Sequence, residues 1–239
     1  MKNPNSATIW LPAVEAAGPR GMRVPKTIMV PYSHASVACF IDDGSGKQED
    51  WDAVVSGVKD AANAIGYPVF IRTDLASAKH SGIKAIRATC QDDVERCIAE
   101  VVIDNEMKFG FGDIGPTHIM VRQWLNLHHT FTAYHGLPIA REWRFFADGE
   151  RVICCHPYWP EGAVGEGNPS VRDWRERLHS ISAPPPMGLG GLAIKAAEAC
   201  GGDRWSVDFA VDYVGDWWLI DMARMERSWH WPGCPNEEN

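Results

Sequence analysis

The chain has 239 residues, 45% of them hydrophobic and 23% charged, with a formal net charge of −8. That is enough for one large domain or two small lobes around a sizeable core. The acidic balance argues against bulk nucleic-acid or anionic-membrane binding, though it leaves room for a local basic cleft.

Residues 1–26, rich in Pro, Gly and Ala, are expected to wrap the surface loosely. "TIMVPY" (27–32) and "ASVACFI" (35–41) read as strands, separated by a Gly- and Asp-rich loop from an amphipathic helix that starts at Trp51 and closes on Gly66. A short strand at 68–72 runs into a Ser- and Ala-rich loop carrying Lys79. A second helix over 90–107 has its acidic residues near the start, as the helix dipole prefers. A strand follows at 117–125, then a hairpin over 141–159 turned at Asp148-Gly149. "NPSVRDWRERLHSIS" is expected to be helical, "APPPMGLGG" to break the chain, and 192–201 to form a helix ended by Gly201. A last hairpin, 204–223, turns near Gly215-Asp216. This mixture of strands, helices and late hairpins indicates an α+β class rather than a regular βαβ winding.

No apolar run approaches the roughly 18–20 residues that span a bilayer. The segment "MKNPNSATIW" has no apolar h-region. The seven cysteines form no CxxC pair and no spaced set with histidines, so they are expected to be free, buried thiols in a cytoplasmic protein. His128-His129 is no metal motif by itself, and the 11 Trp residues are expected to be core or interface material.

The last hairpin carries the strongest chemical signal. Asp208 and Asp221 are both embedded in apolar strand sequence, where a lone carboxylate is costly to bury. Hairpin pairing would bring them to one face, where two carboxylates repel unless a proton or cation lies between them. Mg²⁺ suits such a pair, because it takes one or two carboxylates and completes its shell with phosphate oxygens and water. The alternative is that each aspartate pairs with an arginine such as Arg204 or Arg224. Arg72, Lys79, Arg141 and Arg144 form a complementary cationic set at strand ends and loops, which reads either as phosphate ligands or as solvated surface charge. Arg144 shares a strand face with Glu142, while Trp143 and Phe145 take the other.

Over roughly residues 60–225 these segments, in this order, resemble the ATP-grasp superfamily. The resemblance implies an ATP-grasp fold, two α+β lobes clamping a nucleotide, with 1–60 as an N-terminal segment, 61–122 as the first lobe and 123–239 as the second. "PVFIRTD" is similar to the strand that normally ends in a phosphate-binding lysine, here Arg72, and "LASAKHSG" to the loop over the phosphates, with Lys79. "IMVRQWL" resembles the adenine-binding hinge, which implies ATP contacts at Gln123, Trp124 and Leu125. "REWRFFADGERV" makes Arg144 the γ-phosphate and catalytic candidate, and the last hairpin makes Asp208 and Asp221 the Mg²⁺ ligands. The combination looks most like a phage- and bacteria-associated clade. The hinge carries Arg122 where Glu is usual, Ala223 stands where Asn is common, and the phosphate loop is poor in Gly. The implied activity is an ATP- and Mg²⁺-dependent carboxylate–amine ligase acting through an acyl phosphate, on unidentified carboxylate and amine substrates for which a peptide or protein is the candidate. The alternative is an ATP-binding assembly chaperone without ligase turnover.

Overall fold

The computed structural model describes residues 3–108 and 114–236. In chain order these form α1 (Ala7–Ala17), β1 (Thr27–Pro31), α2 (His34–Asp42), α3 (Gln48–Ile65), β2 (Val69–Thr73), α4 (Ile83–Ile86), β3 (Arg87–Ala88), α5 (Val94–Lys108) and β4 (His118–Gln123). Then come β5 (His129–Ala133), β6 (Leu137–Ala140), β7 (Glu142–Ala147), β8 (Val152–Pro157), α6 (Glu161–Glu166), α7 (Trp174–Ile181), α8 (Gly188–Ala199), β9 (Trp205–Val211) and β10 (Trp217–Arg224). The α+β expectation holds. Among the described residues no helix is long and apolar enough to cross a membrane.

The chain divides into two compact units, one mainly from Pro25–Leu125 with Tyr134–Leu137, the other from Pro4–Val24, Asn126–Ala133 and Pro138–Asn239. The first unit is built on an antiparallel sheet of order β1-β4-β2-β3. Alternation along the strands puts Val30, Ile71, Ile119 and Val121 on one buried face. Helices α3 and α5 cover that face. Gly57 of α3 lies so close that a Cβ there would stand 2.8 Å from Val30 Cγ1, and Thr73 Oγ1 donates to Asn105 Oδ1 of α5 at 3.0 Å. The opposite face therefore carries Phe70, Arg72, Met120 and Arg122.

The second unit is built on an antiparallel sheet of order β10-β9-β7-β8. Phe145, Val207 and Met222 are cross-strand neighbours on the face that receives α8. Gly190 explains how α8 gets there, because a Cβ at that position would stand 3.2 Å from Val152 Cγ2 and 3.9 Å from Phe145 Cε1. Glycines of "GLGG" thus belong to the first turns of α8, not to the chain break expected from composition. Helix α1 joins the unit with Trp10, Leu11 and Val14 buried, capped by Ser6 and ended by Gly18 at φ 51°. The N-terminal segment is accordingly an ordered helix rather than a loose wrapping.

The segment 35–41 is also a helix, α2, instead of a strand. Val37 is its one buried residue, so its apolar pattern was too thin to separate a period of two from one of 3.6.

Candidate functional site

The register of the second unit aligns four polar side chains in one lateral row: Asp221 on β10, Asp208 on β9, Arg144 on β7 and His156 on β8. The row lies on the sheet face opposite α8, because Asp208 and Arg144 alternate with Val207 and Phe145. Asp221 stands opposite Asp208 through a bulge at Ile220. Arg144 grips Asp208 with a two-bond fork, Nε to Oδ1 at 2.8 Å and Nη2 to Oδ2 at 2.8 Å. Asp208 is only 3% exposed. Burial works against the Arg144 charge, but the Asp208 carboxylate outweighs it and holds the guanidinium above its ordinary pKa. The Arg144 guanidinium also lies 4.9 Å from the centroid of the Tyr158 ring. Asp221 is half-buried, and its Oδ1 accepts from the Met222 N–H at 3.1 Å.

The partner of Asp208 is thus Arg144, not Arg204 or Arg224. Arg224 instead pairs with Asp203 at 2.6 Å and lies over the Trp205 ring. Arg141, grouped by sequence with the phosphate cations, donates to the carbonyls of Ala183 and Pro184 at 3.3 and 3.1 Å.

The segment after β10 runs across the same face. Ser228 Oγ lies 2.6 Å from Ser206 Oγ, and the Trp229 carbonyl accepts from Arg144 Nη1 at 3.4 Å. His230 stacks on Phe146 with ring centroids 3.7 Å apart, and Trp231 Nε1 donates to the Pro157 carbonyl at 2.8 Å. This path collects Cys154, His156, His230 and Cys234, whose ligand atoms all lie within 4.8 Å of one another. The sequence had suggested no such set, since Cys-x-His on a strand and His-x₃-Cys in a distant tail only meet through the fold. Burial, followed by the positive neighbours His230 and Arg144, pushes His156 below its ordinary pKa. Burial and then Cys234 push the Cys154 thiol up to about 12.

In the first unit, Arg72 and Arg122 lie on the sheet face opposite α3 and α5, and each is 4% exposed. Arg72 Nε donates to the Thr73 carbonyl at 3.0 Å, and Arg122 Nε to Thr27 Oγ1 at 3.2 Å. The fold thus puts Arg122 and Arg72 on the same sheet face. Trp124 lies near Phe70 with centroids 6.5 Å apart, and Arg87 stands 4.8 Å from the Trp124 ring centroid. Arg87 is a third cation here that sequence reasoning missed. Gln123 is exposed and donates its N–H to the Lys26 carbonyl at 2.8 Å, while Leu125 is half-buried. Lys79 opens a 3₁₀ turn, Lys79–Ser81. That turn is anchored within the unit, with His80 stacked on Tyr134 at 4.6 Å. Gly82 is held at φ 101°, where a Cβ would stand 3.0 Å from the Tyr134 carbonyl oxygen.

No known protein family and no curated protein matches this chain. Among solved structures it is similar to C-terminally truncated Cdc123 from Schizosaccharomyces pombe, at TM-score 0.56 and 13% identity, over 92% of this chain and 83% of that one. A RimK domain ATP-grasp protein from Sphaerobacter thermophilus gives TM-score 0.47 and 13% identity over 93% and 58% of the two chains. The ATP-grasp ligase PsnB, complexed with a minimal precursor, gives 0.46 and 10% over 91% and 51%. Of these three, the Cdc123 likeness alone lies above 0.5, and at 13% identity it defines a shared α+β fold and no activity.

Proposed function

We propose that the chain binds ATP with Mg²⁺ and uses it to join a carboxylate to an amine through an acyl phosphate. The observation that carries this reading is the row Asp221, Asp208, Arg144, which sets two carboxylates and a guanidinium side by side on one sheet face. Oxygen-only donors at a cross-strand pair fit Mg²⁺, with half-buried Asp221 the more accessible ligand. Bound there, Mg²⁺ would neutralise phosphate charge. Arg144 would approach the γ-phosphate, Arg72 and Lys79 would hold the other phosphates, and Gln123, Trp124 and Leu125 would receive the adenine. The chain's own contribution is electrostatic, and no covalent enzyme nucleophile is required. The acceptor would be a peptide or protein carboxylate.

The second reading, an ATP-binding assembly chaperone without ligase turnover, is favoured by the Arg144–Asp208 fork. Both Asp208 oxygens already accept from Arg144, so Mg²⁺ must share or displace that pair. Ala223 in place of a common third ligand points the same way. Calorimetry of ATP with and without Mg²⁺, followed by ADP release with mixed amino-acid and peptide acceptors, separates the two. Acceptor-stimulated ADP supports the ligase, and tight ATP binding without it supports the chaperone. Absence of ATP binding sinks both.

A further inference from the structure

We infer that Cys154, His156, His230 and Cys234 form a structural Zn²⁺ site that clips the C-terminal segment onto the polar face of the second sheet. The four donors are two sulfurs and two imidazole nitrogens, the set that selects tetrahedral zinc over hard cations. A tetrahedron with Zn–S of about 2.3 Å and Zn–N of about 2.0–2.1 Å has donor–donor edges of roughly 3.3–3.8 Å. Cys154 Sγ and His230 Nδ1 already stand 3.7 Å apart, and the whole set fits within 4.8 Å, so closing on a metal needs only side-chain adjustment.

The surroundings are those of a built site. His230 is 5% exposed and locked against Phe146 by stacking. His156 Nε2 is buried with no hydrogen-bond partner among the described residues, a cost that a metal or a metal-bound orientation would remove. Trp231 covers the His156 ring at 6.4 Å, nearly parallel. Four protein ligands leave no open coordination position, which marks a structural rather than a catalytic centre. On binding, the two thiols lose their protons to solvent and coordinate as thiolates, while both imidazoles stay neutral.

The site has a function beyond holding the tail. His156 is the cross-strand neighbour of Arg144, and Trp229, one residue before His230, gives its carbonyl to Arg144 Nη1. The metal would therefore also fix two of the groups around the guanidinium. This inference stands on the second unit alone and does not depend on ATP binding.

The test uses the full chain, expressed with zinc supplementation and purified under reducing conditions without chelator. Elemental analysis should find close to one zinc per chain. Replacement by Co²⁺ should give the visible d–d absorption of tetrahedral thiolate coordination. Cys154→Ser and Cys234→Ser should each abolish the metal, whereas Cys39→Ser, in the other unit, should retain it. Hydrogen exchange of residues 228–236 should speed up on chelation. The cobalt titration needs no variant, so it decides the matter even if a ligand substitution prevents folding. Metal-free protein with no cobalt spectrum overturns the inference. So does zinc retained by the Cys154/Cys234 double variant, or a Cys154–Cys234 disulfide in protein prepared this way.

Discussion

At the scale of the residue, Asp208 and Asp221 look equivalent in sequence but are not equivalent in the fold. Asp208 is buried and forked by Arg144, whose side chain is 18% exposed, so Asp208→Asn would leave a largely enclosed guanidinium without its carboxylate. Breaking such a pair from one side costs about 3–5 kcal/mol. Asp221→Asn, at a half-buried position, should cost no more than about 1 kcal/mol. Urea denaturation of both variants checks this, and equal losses would refute the distinction. The two carboxylates were legible because charged residues interrupt apolar strand sequence. The partner of Asp208 was not, because Arg144 lies on a strand that sequence alone could not place beside β9. Arg72 was legible as a cation near the end of its strand, but nothing in the sequence links it to Arg122, much further along the chain on β4. Alternation along β4 puts the two on one face.

At the scale of the element, Asp93 ties down the entry to α5. Its carboxylate accepts from Thr89 Oγ1 at 2.6 Å, Thr89 N–H at 2.8 Å and Arg96 Nη2 at 2.7 Å. These bonds, the Thr89 hydroxyl first, hold its pKa well below the ordinary carboxylate value. A depressed folded pKa contributes stability above the unfolded pKa of about 3.9, and that contribution is lost as pH falls through the folded value. The stability gap between wild type and Asp93→Asn should thus stay flat near neutrality and narrow only in strong acid. A gap that widens as pH falls would contradict it. Gly46 makes a different demand on α2, since a Cβ there would stand 1.9 Å from the Ser36 carbonyl oxygen and 2.5 Å from the Phe40 nitrogen. Gly46→Ala forces backbone apart and should cost about 1–3 kcal/mol by thermal denaturation. The segment 35–41 reads as a strand because Val37 alone of its residues is buried, which leaves no helical stripe in the sequence. The hairpins, by contrast, announced themselves through Asp148-Gly149 and Gly215, and the structure turns at both.

At the scale of the whole molecule, a ligand that binds the native state and not the unfolded chain raises stability by mass action, about 2.7 kcal/mol at one hundred times its Kd. If the proposed function is right, ATP with Mg²⁺ should raise the melting temperature more than ATP with a chelator. Asp221→Asn should erase the difference between the two. An unchanged Mg²⁺ increment in that variant would remove Asp221 from the metal site. The late hairpins, set among helices with no regular βαβ alternation, made the α+β class readable from pattern and period. The Cys/His cluster was invisible, because it joins a mid-chain strand to a segment 76 residues further on that lies beyond the last hairpin.

The bulge at Ile220 makes the aspartate pair a matter of counting. Trp217 pairs with Val211 and Leu219 with Phe209, so an unbroken ladder would set Ile220 against Asp208 and turn Asp221 toward the face that receives α8. One surplus residue moves the carboxylate from the greasy side of the sheet to the polar one. Removing Ile220 should therefore regularise the ladder and leave Asp221 facing Asp208, whereas adding a residue before Asp221 should push it away. A length change of one, with every charged residue intact, would decide whether this strand can carry a cation.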